Sequence, residues 1–327
     1  MASPNPDFDT ILSATMQNYR KTFIENILGQ QALFYKMKQR GYRGVEGGGR
    51  TLVQPIMHGE NSTIGSYRGY DLLDLTPQTG FTSVELPWKQ VAGSVTISGK
   101  EELENRGKSQ IFNLLEGKIK QLELSLELFF NSQLYAAGTA NDGKDITGLA
   151  LAVEDGAAWS TYAGIDSNAY AFWRNQYTDA TGTLFGAASG NSTWGISKMR
   201  NMFNKCARGN SKPDLIITTQ ELYEGYEANI EGTKLEFTDT KLGDVGFANL
   251  TFKKVPIVYD EDCDANTMLF LNSQFIKLIT MAGRDFISTP FEKPPNQDAK
   301  SSLTLWMGNL VVTKRDQQGR ISNLSVD

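Results

Sequence analysis

Two short stretches and one histidine of the 327-residue chain are the first residues that could do chemistry. Gly138-Thr-Ala-Asn-Asp-Gly143-Lys144-Asp145 nearly fits G-x-x-x-x-G-K-[ST], in which backbone N–H groups cradle phosphates and a hydroxyl holds magnesium. Asp145 stands where the hydroxyl is needed, and the segment follows a helical pattern where the loop needs a preceding strand, so a plain loop is expected. Asp260-Glu-Asp262-Cys-Asp264-Ala265 begins like a calcium loop. Its sixth position is Ala265 where the turn needs glycine, and its twelfth is Leu271 where a bidentate glutamate is needed, so a solvated turn is expected. His58 is the only histidine, which leaves a histidine-dependent triad one candidate base. Cys206 and Cys263 form neither a C-x-x-C clip nor a disulfide framework and read as buried thiols. Asn61-Ser-Thr and Asn191-Ser-Thr match the glycosylation acceptor pattern but read as chance loops without a secretory leader. No catalytic residue, cofactor or metal ligand is expected.

Composition narrows the classes further. The formal net charge is −5, whereas a protein gripping nucleic-acid phosphates over its surface needs a basic excess. The first residues contain neither a basic segment nor an apolar run, and no stretch of about 18 apolar residues occurs, so neither a signal peptide nor a membrane span is expected. Folding in the cytoplasm of the producing cell follows from that reading.

The elements that position these residues can be read from periodicity. Residues 8–40 repeat apolar positions at helical spacing, and Gly44-Val-Glu-Gly47-Gly48-Gly49 then frees the backbone, as a flexible joint would. Residues 50–57 read as a strand, with Pro55 confining it to an edge. Residues 58–80 are polar, with Gly, Ser and Tyr, as at a loop tip. In the returning strand Val84, Leu86 and Trp88 share one parity, but Val91, Val95 and Ile97 share the other, which implies a bend or bulge beside Pro87. Strand, tip and strand make a projecting β-arm. Tyr67, Arg68 and Tyr70 at its tip, with Trp88 at its bend, are the candidate contacts with a neighbouring subunit, because aromatics and arginine favour interfaces.

Residues 99–137 read as the longest helix, about 58 Å at 1.5 Å per residue, opened by a Ser98/Glu101 capping box and closed by Gly138. An apolar stripe from Ile111 to Leu134 reads as core, and Glu116 with Lys120 as a pair on the wet side. Gly107 and Gly117 each weaken this helix by about 1 kcal/mol relative to alanine and are candidate bending points. Beyond it the spacing predicts a mixed region. It has an amphipathic helix at 194–207, a buried strand at 214–219, a helix at 220–230 and strands at 250–252 and 255–259. Further strands are expected at 268–271, 275–281, 285–291 and 303–313, with no internal repeat and no charge block.

This order resembles the major capsid protein family of tailed double-stranded DNA phages, whose fold is shared by encapsulins. Several stretches are similar in wording as well: Asp145-Ile-Thr-Gly-Leu149, Tyr162-Ala-Gly-Ile-Asp166, Trp173-Arg-Asn-Gln176, Pro213-Asp-Leu-Ile-Ile-Thr-Thr219, Val255-Pro-Ile-Val-Tyr-Asp260 and Gln317-Gln-Gly-Arg-Ile321. The resemblance implies an α+β, Hong-Kong-97-like capsid fold. Its parts would be an N-terminal arm (1–44), an extended β loop (45–97), a peripheral domain with spine helix (98–137), an axial domain (138–275) and a β-rich return (276–327). It implies a virion subunit forming hexamers and pentamers around packaged DNA. Implied partners are a separate scaffolding protein, a portal protein and a decoration protein, with no membrane. The alternative is an encapsulin-type compartment shell. Shells of this family expand on packaging, so Gly47, Gly48 and Gly49, and Gly107 and Gly117, are the hinge candidates. Lys89 is the only lysine in 45–97, and the lysine–asparagine crosslink of some members is not expected at it.

Overall fold

The computed structural model describes residues 33–34, 37, 43–104, 114–156, 159–184, 195–230 and 250–326. In chain order its strands are β1 (Arg43–Glu46), β2 (Thr51–Met57), β3 (Phe81–Pro87), β4 (Lys89–Ser98), β5 (Thr161–Tyr162), β6 (Ile165–Asp166), β7 (Gln176–Leu184) and β8 (Leu215–Thr218). Then follow β9 (Leu250–Phe252), β10 (Val255–Tyr259), β11 (Met268–Leu271), β12 (Ile276–Met281), β13 (Ile287–Ser288), β14 (Ala299–Val312) and β15 (Gly319–Ser325). The principal helices are α1 (Gly99–Glu104), α2 (Leu114–Tyr135), α3 (Gly195–Cys206) and α4 (Gln220–Ile230). The class is α+β, as the residue patterns require. Among the described residues, no helix is long and apolar enough to cross a membrane.

The chain divides into two compact units. The described residues of one fall within 91–129 and 286–306. Its α1 opens with the expected capping box: the Ser98 N–H donates to Glu101 Oε2 at 3.0 Å, and the Glu101 N–H donates to Ser98 Oγ at 3.2 Å. The Ser98 N–H and the Lys118 ammonium, 3.0 Å away, hold the Glu101 carboxyl below its usual range. In the same unit α2 lies close on β4, for a Cβ at Gly93 would come within 2.6 Å of Leu122 Cδ1.

The second unit comprises 30–90, 130–285 and 307–327. Its centre is a six-stranded sheet in the order β7-β15-β11-β8-β10-β9. The β8/β10 and β7/β15 pairs are parallel, and the other three are antiparallel. β8 and β11 are buried at every position because they lie in the middle of this sheet and are covered on both faces. One face packs against α3 and α4 through Met199, Met202, Phe203, Leu222, Tyr223 and Tyr226. The parallel pair β1/β12 and the antiparallel pair β12/β14 form a second sheet.

Of the helix expected over 99–137, the described residues are α1 and the 22-residue α2, about 33 Å long; residues 105–113, including Gly107 and Ile111, lie outside them. Two expectations need correction. The apolar stripe is not core along its length, since Leu115, Ile119 and Phe129 are exposed and only Phe130, Leu134 and Tyr135 at the end are buried apolar positions. Residues 285–291 shorten to the two-residue β13, because only Ile287 and Ser288 find ladder partners on β14. The parity change beside Pro87 does occur. Val84 and Leu86 are buried on β3, Val95 and Ile97 on β4, and the chain breaks between the strands at Trp88.

Candidate functional site

β2 and β3 form a two-stranded antiparallel hairpin in register from Thr51 opposite Pro87 to Met57 opposite Phe81. Pro55 sits opposite Ser83, and β2 pairs with no other strand of the described residues, which is the edge position that a missing N–H demands. The tip closes where the His58 N–H donates to Gly80 O at 2.9 Å. Beyond that point local bonds organise the loop in place of a core. Asn61 Oδ1 accepts from the Thr63 N–H and hydroxyl, Asp74 Oδ1 does the same for Thr76, and Asp71 accepts from the Arg68 N–H. The bonds from Thr76 lower the Asp74 pKa.

The tip also carries apolar area that its own fold leaves uncovered. Ile64 is 83% exposed, Leu75 87%, and Tyr70 and Leu72 are fully exposed. Of the expected contact residues, Tyr67, Arg68 and Tyr70 lie on this exposed tip. Trp88 does not. It is half-buried at the other end of the hairpin, and its indole N–H donates to Gly49 O at 3.1 Å.

The arm does not stand clear of its own unit. The Glu85 N–H, on the outer edge of β3, donates to Ala163 O at 3.0 Å. That carbonyl is presented by the tight turn between β5 and β6, where Ala163 (φ 53°) and Gly164 (φ 82°) take the left-handed conformations of a primed hairpin turn. The His58 ring stacks on Phe172 with centroids 4.6 Å apart and planes 14° from parallel. The sole histidine is thus a packing residue of a clasp formed by 163–172. At the arm's root, Asn309 Nδ2 donates to Pro87 O at 2.9 Å while its Oδ1 accepts from the Thr147 N–H at 3.0 Å. The Lys89 ammonium donates to Gly143 O. Burial lowers the Lys89 pKa, opposed by Asp145.

The hinge candidates fall in two places. Gly47, Gly48 and Gly49 join β1 to β2 and are exposed. Gly48 (φ +116°) and Gly49 (φ +102°) occupy backbone regions that only glycine enters at low cost. Gly117 lies within the first turn of α2.

The chemically suggestive stretches serve packing. In the 138–145 loop, Asn141, Asp142 and Gly143 are all left-handed, and the loop offers a carbonyl to Lys89. Of the three aspartates of 260–264, two share the Asn131 amide and the third pairs elsewhere. Asp260, buried, accepts from the Leu33 N–H at 3.1 Å and Asn131 Nδ2 at 2.8 Å; Asp262 accepts from Asn131 Nδ2 at 2.6 Å; Asp264 pairs with Arg320 at 2.9 Å. Among the described residues no group of three or more His, Cys, Asp or Glu is placed to hold a metal. Both cysteines are buried free thiols, and burial pushes that of Cys206 up to about 12.

Sequence reasoning missed a buried arginine. The Arg315 guanidinium donates to Ala152 O (2.7 Å), Ser167 Oγ (2.6 Å) and Glu154 Oε2 (3.1 Å), and lies 5.0 Å from the Tyr162 ring and 5.9 Å from that of Trp173. The Tyr162 hydroxyl accepts from the Val312 N–H at 3.0 Å, and burial pushes its pKa up to about 12. Next along the chain, Gln317 Oε1 accepts from Asn272 Nδ2 at 2.9 Å and Gln318 Oε1 from the Asn272 N–H at 2.8 Å. Two of the family-like stretches, around 162–166 and 173–176, therefore meet at the Arg315 node, and a third, 317–321, follows it in the chain. The node holds the turn that clasps the arm. No local signal marks it, because Glu154 and Arg315 lie far apart in sequence.

No protein-family model matches the chain, and no curated protein matches it significantly. Solved structures do. The capsid asymmetric unit of cyanophage A-1(L) aligns with a TM-score of 0.63 at 18% identity, over 96% of this chain and 99% of that one. The capsid of Myoviridae phage XM1 aligns at 0.56 and 12% identity, over 94% and 97%. The SrpI encapsulin complex of Synechococcus elongatus PCC 7942 aligns at 0.58 and 10% identity, over 100% and 97%. The likeness spans more than nine-tenths of each chain and shows the architecture: the chain has the Hong-Kong-97-like fold seen in phage capsid proteins.

Proposed function

We propose that this chain is a structural subunit of an icosahedral phage head, assembling into hexamers and pentamers that enclose the packaged double-stranded DNA. The observation that carries the reading is the arm tip. Its Ile64, Tyr67, Tyr70, Leu72 and Leu75 are exposed on a loop whose ends are bonded into the subunit. Apolar and aromatic area of this kind marks a surface that another protein covers, and a second copy supplies it in a closed lattice where every arm meets the same neighbour. The working residues are then interfaces, with no catalytic role for any of them, and virion capsid is the location. A separate scaffolding protein, a portal and a decoration protein complete the list of partners.

Deleting residues 60–79 leaves His58-Gly59-Gly80 to turn between β2 and β3 and keeps both clasp contacts. The deletion variant should be a folded, soluble subunit that forms no closed shells under negative-stain microscopy, with or without scaffold. Normal shells from this variant would overturn the reading. The encapsulin likeness supports a second reading, a compartment around enzymes. Particles purified from the native source separate the two: packaged genomic DNA supports the phage head, enclosed enzyme the compartment.

A further inference from the structure

The two helices on the outer face of the six-stranded sheet carry opposite charge. α3 has Lys198, Arg200 and Lys205 and no acidic residue, and the cations continue through Arg208 and Lys212. α4 has Glu221, Glu224 and Glu227 and no basic residue. Arg200, Lys205, Glu221 and Glu224 are exposed, while the opposite faces of both helices sit in one apolar core. α3 packs over β7 and β15 and also reaches the β9/β10 turn, where Lys253 donates to Asn204 Oδ1 at 2.8 Å, and α4 packs over β10.

The helices do not need this pattern for themselves. A helix favours anions in its first turn and cations in its last. Glu221 and Lys205 obey that rule, but Lys198 lies in the first turn of α3 and Glu227 in the last turn of α4, where the dipole opposes them. Lys198 donates to the Asp179 carbonyl at 3.4 Å and its charge also helps lower the Asp179 carboxyl pKa, and among the described residues no ion pair joins one helix to the other. Arg208 meets the Asp316 carboxylate at 3.9 Å, whereas no ion pair among the described residues engages Arg200 or Lys205.

We propose that the basic face of α3 on one copy of this chain docks against the acidic face of α4 on the next, a head-to-tail contact between neighbours in a ring. This deepens the shell reading and rests on it. Two different patches meeting under a rotation generate a ring when the rotation closes. The signs disfavour the two-fold contacts that set α3 against α3 or α4 against α4, where like charges meet. The pattern thus favours unlike patches in contact, while apolar contacts such as the arm tip hold the lattice.

The test is charge reversal at exposed positions. One variant carries Arg200→Glu and Lys205→Glu, a second Glu221→Lys and Glu224→Lys, and a third all four. Assembly is followed by sedimentation and negative-stain microscopy, and folding by circular dichroism. The first two variants should stay folded but need on the order of tenfold higher subunit concentration for half-maximal assembly. The four-residue variant should return to near the wild-type value, because the attraction is restored with its signs exchanged. Mixing the first two variants should also rescue even-membered rings, since each supplies what the other lacks. Glutamine at Arg200 and Lys205, which leaves no new charge, should flatten the salt dependence of assembly. Wild-type behaviour of both reversed variants, or no rescue in either the four-residue variant or the mixture, overturns the proposal and leaves the shell reading standing. A wild-type chain that never assembles, even with scaffold, overturns the shell reading and this contact with it.

Discussion

Replacing Arg315 by methionine tests whether the polar node holds the arm's clasp in place. Methionine fills similar volume but returns none of the bonds to Ala152 O, Ser167 Oγ and Glu154 Oε2. The Arg315 side chain is fully buried and Glu154 nearly so, so solvent does not screen the pair. Removing one partner of a buried ion pair leaves the other charge uncompensated, at about 3–5 kcal/mol. Glu154 keeps the Ser160 N–H at 3.1 Å, which places the expected loss toward about 3 kcal/mol. For a unit of this size that corresponds to roughly 6–12 °C in Tm. Urea unfolding followed by tryptophan fluorescence reads it directly, because Trp173 lies beside the guanidinium. Arg315→Lys should recover only part of the loss, since an ammonium cannot reproduce the planar fork that reaches several acceptors. Hydrogen exchange at the Glu85 amide, which donates to Ala163 O, should quicken in Arg315→Met. A loss below about 1 kcal/mol, or unchanged exchange at Glu85, would refute the reasoning.

Alanine at Gly48 and Gly49 should cost about 1–3 kcal/mol per site, because φ of +116° and +102° is accessible essentially to glycine alone; alanine at Gly47, which meets nothing within 4 Å and has no positive φ, should be nearly silent in the same thermal melt. Lys253 and Lys254 hold φ of 50° and 66° in the two-residue turn between β9 and β10, so Lys254→Gly should stabilise the protein by about 0.5–1 kcal/mol in denaturant titration. Burial raises the Asp260 carboxyl above its ordinary 3.8, so the folded state holds that proton more tightly than the unfolded chain. Stability from this group therefore rises as pH falls toward 3.8 and is lost as pH climbs through the raised value. Wild type should gain stability relative to Asp260→Asn between pH 7 and about pH 4 in urea titrations, and a constant difference would contradict that sign.

Local rules determined much of this protein. The Ser98/Glu101 capping box, the edge placement of Pro55, the parity break at Trp88 and the buried strand at 215–218 all rest on interactions within a few residues or on a period of two, so the chain displays them directly. The resemblance carried by short stretches pointed to the fold that the solved structures share. The charges of α3 and α4 were also present to be read, but their cations are spaced around a helix, so no linear charge block marks them. What only the tertiary structure decided involves partners far apart in sequence. The apolar stripe of α2 looked like core, yet whether a stripe is covered depends on what packs against it, and Leu115 and Ile119 meet solvent. That the Trp88 indole donates to Gly49 O was decided by the hairpin register, which sequence does not display. His58 looked like a lone chemical group until 163–172 came beneath the arm and gave it Phe172 to stack on. Arg315 and Glu154 carry no spacing signal at all; a buried charge is tolerable only beside its counter-charge, and only the folded chain brings those two together.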